Sequence, residues 1–372
     1  MIFLEIVLLV IGMVLLIKGA DFFVDGSSKI AKALHIPALI IGLTLVSMGT
    51  SAPELAVSIT SGIQGNNDMS LGNVVGSNTF NTFLILGLSA VVIPLIIDKD
   101  MKKFDIPIML GIYALLLLFG FVITPNSLDR FEAIIFLVLF VIYLITLVIR
   151  AKKSNSEVQE EEVDAEPTSV KKLIVCLLLC VAGVVSLLDF EYNNYIIIGM
   201  FVLFLLTFLL KEKQKDNQAS KKEIIFSVIF TIAGLVAIIG GSELVVNNAS
   251  ALASRLGMSD ALVGLTIVAI GTSLPELITS VVAAIKKEND IAVGNVIGSN
   301  IFNALLILGA TSTIRPLSLS NESLFDLAVL FVSGLLVFII SRFSNNMKKW
   351  QGVIFIILYV SYLAFIIIRN YM

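Results

Sequence analysis

The stretch from Gly42 to Gly87 returns as Gly264 to Gly309 without a gap, at a constant offset of 222 residues, with 26 of the 46 aligned positions identical. Gly-Thr-Ser-Ala-Pro-Glu at 49–54 becomes Gly-Thr-Ser-Leu-Pro-Glu at 271–276. Gly-Asn-Val-Val-Gly-Ser-Asn at 72–78 becomes Gly-Asn-Val-Ile-Gly-Ser-Asn at 294–300. Each copy sets a carboxylate, a proline and a cluster of hydroxyls and amides inside strongly apolar sequence. Such groups are costly in a bilayer, so a functional site is the default reading. The offset also holds upstream, pairing Gly19 with Gly241, Asp21 with Glu243 and Ser28 with Ser250. The duplicated unit is therefore a bundle of about five helices rather than a short motif.

The surrounding runs explain why a bilayer is the relevant solvent. The chain is 58% hydrophobic and 14% charged, and apolar stretches of about 18 residues or more recur between short polar breaks, the pattern of a polytopic α-helical membrane protein. The strict alternation of a β-barrel is absent. Spans are expected at 2–32, 38–64, 69–96, 104–123 and 129–150, then at 172–189 and 194–211, and again at 223–254, 260–286, 291–317, 322–341 and 348–369. The chain divides into a first five-helix repeat at 1–150, an inserted segment at 151–222 and a second five-helix repeat at 223–372. The insertion holds a solvated linker with Glu160–Glu162 and Pro167, two extra spans and a basic loop. Met1–Ile17 carries Glu5 in place of a basic start and has no small-residue cleavage site, so it reads as a retained first helix. Cys176 and Cys180, one turn apart in an apolar run, read as packed or lipid-facing.

Loop charges orient the two copies. Lys29, Lys32, Lys102, Lys103, Arg150, Lys286, Lys287, Lys348 and Lys349 fall on one side if the N-terminus is outside; few cations, among them Arg130, Arg255 and Arg315, fall on the other. Both termini are then extracellular. Five spans plus two is an odd number, so the second unit starts on the opposite side and the repeats are inverted, the architecture of alternating-access transporters. The net charge of −3 is uninformative for a membrane protein; with no basic, aromatic-rich patch, nothing points to nucleic acid as a partner, and no obligatory protein partner is evident.

The motifs themselves are oxygen-rich. Pro53 removes a backbone donor, so the helix should bend or unwind around Thr50–Pro53 and free carbonyls there. Thr50, Glu54 and Ser58 recur every four residues, as do Thr272, Glu276 and Ser280; the next helices carry stripes of Asn73, Ser77, Asn81 and Asn295, Ser299, Asn303. No His, Cys or Met is among them. This set suits the hard cations Ca²⁺ or Na⁺, and Glu54 and Glu276 match the charge of one Ca²⁺ or two Na⁺. Asn78 and Asn300 stand off the stripes and read as cap or packing groups, Asp68 and Asp290 as N-caps. Asp21 and Glu243 could line an ion path, with Lys18 neutralising Asp21; His35 stands in a loop.

At these residues the chain resembles the cation/calcium exchanger superfamily, in its prokaryotic calcium/sodium antiporter branch. The resemblance covers both five-helix units and implies that Ca²⁺ is expelled as Na⁺ enters, without a cofactor and without enzymatic chemistry. It implies that Glu54 and Glu276 are the central ligands, that Thr50, Ser51, Thr272 and Ser273 contribute oxygens, and that Ser77, Asn81 and Ser299 on the following helices do so too. It also implies that the first helix of each unit slides over the motif core. Some members carry Asp where this chain has Asn303, which leaves the site at −2 and makes potassium co-transport less expected. The extra pair of spans is a second departure. H⁺ as counter-ion is the nearest rival reading. An intramembrane aspartyl protease lacks its paired Asp signature here, and inverted duplication around a broken helix favours a transporter over a channel.

Overall fold

The computed structural model describes residues 2–33, 36–65, 67–159, 221–255 and 269–371. The expected extra spans, the acidic linker, Cys176, Cys180, His35 and the start of the second motif at Gly264 lie outside the described residues. The first repeat comprises α1 (Ile2–Ala33), α2 (Ala38–Thr50), α3 (Ala52–Gln64), α4 (Asn67–Phe80, continued through Leu86–Val92), α5 (Met101–Ile123) and α6 (Arg130–Gln159). The second comprises α7 (Lys221–Arg255), α8 (Ala269–Thr272), α9 (Leu274–Ile285), α10 (Asn289–Ile314), α11 (Asn321–Phe343) and α12 (Lys349–Tyr371). Among the described residues eight helices are long and apolar enough to cross a membrane, and the bent pair α2–α3 makes a ninth. The protein is a multi-pass, nearly all-helical membrane protein.

Four two-residue strands close the bundle: β1 (Leu95–Ile96), β2 (Ser127–Leu128), β3 (Leu317–Ser318) and β4 (Asn346–Met347). The spans expected at 69–96 and 291–317 therefore overrun, because the helices stop at Val92 and Ile314. Ile93 and Arg315 are extended, at φ −140° and −141°, and each precedes a proline, Pro94 or Pro316, whose ring disfavours helix at the residue before it.

The strand register demonstrates inversion independently of charge. β1 pairs antiparallel with β4, and β2 with β3. β1 joins the third and fourth spans of its repeat, whereas β4 joins the fourth and fifth of the other. Consecutive spans end at opposite membrane faces, so these two turns can meet only if the repeats are upside-down relative to each other. The first helices agree: α1 and α7 pack antiparallel, Gly12 against Gly241 and Gly19 against Gly234. A Cβ on Gly12 would lie 2.9 Å from the Gly241 carbonyl oxygen, and one on Gly19 2.8 Å from that of Gly234. Only glycine permits that approach.

The polar helices sit inside and the apolar ones outside. The membrane-length window of α10 is wholly buried, against 17% for α1, and Phe3, Phe131 and Phe343 are among the large apolar side chains left on the outer surface. Exposure of such groups is expected where lipid is the solvent. Polar contacts gather at the two ends. At the β1–β4 end Lys102 Nζ donates to the Ser344 carbonyl at 2.6 Å, and Lys286 pairs with Asp25 at 2.7 Å and Asp21 at 3.2 Å. Lys18 lies 3.6 Å from Asp21, as the sequence suggests. Asp290 is not an N-cap: Glu288 holds that position with no side-chain capping bond, and Asp290 sits in the first turn of α10, where a carboxylate complements the helix dipole.

Candidate functional site

Two covalent facts shape the site. Pro53 and Pro275 begin α3 and α9 and have no N–H, so the carbonyls of Gly49 and Gly271 lose their helical donors. The chain breaks one residue before each new helix, at Ser51 (φ −82°, ψ 7°) and Ser273 (φ −93°, ψ 7°), and α2 meets α3 at 49°. Ser242 of α7 donates to the freed Gly271 oxygen at 2.8 Å. The matching residue of the first repeat is Ala20, which has no hydroxyl to offer.

The breaks bring the carboxylates of opposite repeats together. Ser51 Oγ donates to Glu276 Oε1 at 2.9 Å, and Ser273 Oγ to Glu54 Oε1 at 3.0 Å. Each serine thus bonds the other repeat's glutamate. Ser77 Oγ lies 2.9 Å from Ser273 Oγ. Thr50 Oγ1 is 3.1 Å from Asn295 Oδ1, and Thr272 Oγ1 is 3.4 Å from Asn73 Oδ1. Ser299 Oγ donates to the Ser47 carbonyl at 3.4 Å. Thr50, Ser51, Glu54, Asn81, Ser273, Glu276, Ser299 and Asn303 have no exposed surface, and Ser77 is 3% exposed; Thr272 is half-buried. Among the described residues, one oxygen of each glutamate, both amide atoms of Asn81 and Oδ1 of Asn303 have no hydrogen-bond partner. Buried polar atoms are normally satisfied, so the orphaned oxygens on two neighbouring carboxylates single this place out as the candidate site.

Asn73 and Asn295 hold this arrangement from behind. Asn73 Nδ2 donates to the Glu54 carbonyl (3.2 Å) and Ser58 Oγ (2.9 Å); Asn295 Nδ2 donates to the Glu276 carbonyl (3.4 Å) and Ser280 Oγ (2.9 Å). Both amides therefore clamp their own repeat's glutamate helix while accepting from the other repeat's threonine. The stripe periodicity places these four residues near the site but does not reveal the clamp. Asn81 and Asn303 each open a π-helical turn, Asn81–Ile85 and Asn303–Ile307, a feature concentrated at functional sites and invisible to a 3.6-residue periodicity.

A cavity of about 520 Å³ runs beside the site, lined near it by Asn73, Ser77 and Thr272 and farther out by Ser320, Asp326 and Arg369. It leads toward the end bearing β2 and β3. Asp326 and Arg369 pair across it at 3.0 Å.

The family model described as sodium/calcium exchanger protein matches residues 4–149 and 226–368. The chain is 34% identical over 98% of its length to sodium/calcium exchanger MaX1 of Methanosarcina acetivorans, of which it covers 99%. It is 33% identical to the inner membrane protein YrbG of Escherichia coli over 83% of this chain and 79% of that one. Among solved structures, the sodium-calcium exchanger NCX_Mj soaked with Na⁺ and Sr²⁺ superposes with a TM-score of 0.74 at 29% identity, covering 98% of this chain and 99% of that one. The same protein soaked without Na⁺ and Ca²⁺ gives 0.75 at 28% identity, over 98% and 100% of the two chains.

Proposed function

Since the chain belongs to the sodium/calcium exchanger protein family, we propose that it is a secondary active antiporter that exchanges Ca²⁺ for Na⁺ across the cytoplasmic membrane by alternating access. The observation that carries this reading is the reciprocal pair Ser51–Glu276 and Ser273–Glu54. It makes one buried site out of halves supplied from inverted repeats. Glu54 and Glu276 are the central ligands. Thr50, Ser51, Thr272, Ser273, Ser77, Asn81, Ser299 and Asn303 supply neutral oxygens. Two carboxylates and an all-oxygen shell suit one Ca²⁺ or more than one Na⁺.

The same charges give a reason for coupling. Two ionised glutamates without a cation repel each other in a low dielectric, so the empty site resists reorientation whereas either loaded form can turn over. Residues 1–150 and 223–372 are the two repeats, with 151–222 inserted between them. Lys286, Lys287, Lys348 and Lys349 belong at the cytoplasmic face, and both termini outside.

The deciding measurement is ⁴⁵Ca²⁺ uptake into inverted vesicles or proteoliposomes driven by a Na⁺ gradient with a protonophore present. Uptake that follows the Na⁺ gradient supports the reading. Uptake that needs a proton gradient instead would assign H⁺ as counter-ion, and Ca²⁺ efflux into medium without any counter-cation would refute obligatory exchange. Glu54→Gln and Glu276→Gln are each expected to lower uptake by at least about 100-fold, the order of effect of removing a charged partner from a buried site; full activity in either variant refutes the site.

A further inference from the structure

We infer that Asn78 is a positioning residue for Asn303, setting which end of the Asn303 amide faces the ion site. This rests on the reading of Asn303 as an ion ligand. A neutral amide has one oxygen and one NH₂, and only the oxygen can coordinate a cation. Where a carboxylate stands, both ends are oxygens and orientation is immaterial. With asparagine, something must hold the amide the right way round.

The bonds around Asn78 supply that hold through a chain with only one sense. Asn78 Nδ2 lies 3.0 Å from the backbone carbonyl of Asn300. A carbonyl can only accept, so the NH₂ of Asn78 must point at it and its Oδ1 must point the other way. That Oδ1 is 3.1 Å from Asn303 Nδ2. An amide oxygen also only accepts, so the NH₂ of Asn303 must turn to Asn78. Oδ1 of Asn303 is left with no partner among the described residues and no exposed surface. Asn78 and Asn300 are fully buried as well, so water does not compete for these bonds.

The relay operates in one repeat only, and a single substitution between the copies explains why. By the offset of 222, the mirror bond would run from Asn81 to Asn300 Oδ1. Instead Asn300 Nδ2 donates to Thr82 Oγ1 at 2.9 Å, and that hydroxyl donates to the Asn78 carbonyl at 2.7 Å. Thr82 is matched in the other repeat by Ala304, which has no hydroxyl. Asn300 Oδ1 and both amide atoms of Asn81 remain without a partner among the described residues. The two asparagines of the site are therefore inequivalent: Asn303 presents a pre-aimed oxygen, and Asn81 is free to turn. Asn78 lies off the polar stripe, and its side chain reaches the site through its hydrogen bond with Asn303.

The test is a double-mutant cycle in the full chain, reconstituted in proteoliposomes, reading the Ca²⁺ concentration for half-maximal exchange and the maximal rate separately. Asn78→Ala should raise the half-maximal Ca²⁺ concentration by about tenfold, the scale of losing one buried contact to a charged group, with the maximal rate within about twofold. Asn78→Asp, whose buried and protonated acid keeps a donor toward the Asn300 carbonyl and an acceptor opposite Asn303, should not raise it. In an Asn303→Asp background, Asn78→Ala should shift it by less than about twofold, because a carboxylate needs no orienting. Equal losses from Asn78→Ala in both backgrounds, or a tenfold rise with Asn78→Asp, would show a merely structural role and overturn the inference; the aspartate comparison also decides the matter if the alanine protein is not recovered. If Asn303→Ala leaves the half-maximal concentration unchanged, the ligand reading of Asn303 is wrong. If Asn303→Ala weakens binding while Asn78→Ala does not, the ligand reading stands and only the positioning role falls.

Discussion

Ser51 and Ser273 are the residues on which the joining of the two half-sites depends. Each sits at a helix break and donates a hydrogen bond to a glutamate on the other repeat, at 2.9 and 3.0 Å. A hydroxyl in that position satisfies a buried carboxylate and, on the proposed reading, also adds an oxygen to the ion's shell. Replacing either serine by alanine removes both, and a bond to a charged group is worth about 1.5–3 kcal/mol. Ser51→Ala and Ser273→Ala should each raise the Ca²⁺ concentration for half-maximal exchange by about tenfold or more, with similar size in the two variants because the bonds are reciprocal. Isothermal titration of the purified protein with Ca²⁺ checks this directly. The serines are legible in sequence as part of a repeated Gly-Thr-Ser-x-Pro-Glu. That each serves the other copy's glutamate is not, because the partners are 225 and 219 residues apart.

At the scale of elements, the breaks and the packing of the first helices have different origins. The break before α3 and α9 follows from proline chemistry and falls where the sequence places it. The α1–α7 contact depends on Gly12, Gly19, Gly234 and Gly241 meeting backbone to backbone. Gly12→Val should force the two helices apart and slow exchange by about tenfold, while equilibrium Ca²⁺ binding changes little, since overpacking here strains the interface rather than the site. Stopped-flow exchange compared with titration calorimetry separates the two. A second asymmetry lies at the end of α1. Lys286 ties the α9–α10 turn to Asp21 and Asp25, and Ser28 donates to Glu288 at 2.8 Å. The equivalent of Lys286 is Gln64, and Asp21 and Asp25 are matched by Glu243 and Asn247, so the mirror set lacks the cation. Lys286→Gln should loosen α1 from α9 at this end. A cysteine at buried Thr279 is then expected to react a few-fold faster with a hydrophilic thiol reagent, the modest size reflecting pairs that are partly solvated.

The whole molecule has one polar centre and two charged ends of unequal composition. Lys102, Lys286, Lys348 and Lys349 gather with β1 and β4, because Val293 near the start of α10 lines one small cavity with Leu95 and Met347. Arg130 lies at the other end, where it donates to the Thr313 carbonyl at 3.2 Å. The polar cavity beside Ser77 leads toward that arginine end. Cysteines at Lys286 and Lys348 should therefore label from the same face of a sealed vesicle, and a cysteine at Arg130 from the opposite one. With right-side-out vesicles and a membrane-impermeant reagent, only Arg130→Cys is expected to react. Labelling of Lys286→Cys and Lys348→Cys from different faces would contradict the shared end.

The bilayer as solvent, the copying of a five-helix unit, its inversion, the helix breaks and the two carboxylates are all legible in the amino-acid order. These are written in composition, in a constant offset, in loop charge and in proline's missing N–H, each of which is read along the chain without knowing which side chains meet. How the copies engage emerges with the folded chain: the crossed serine–glutamate bonds, the clamps of Asn73 and Asn295, and the one-way relay from Asn300 through Asn78 to Asn303. A short periodicity says which face a side chain occupies. Which end of an amide turns inward is set by the acceptors opposite it, and those are supplied by a helix more than 200 residues away.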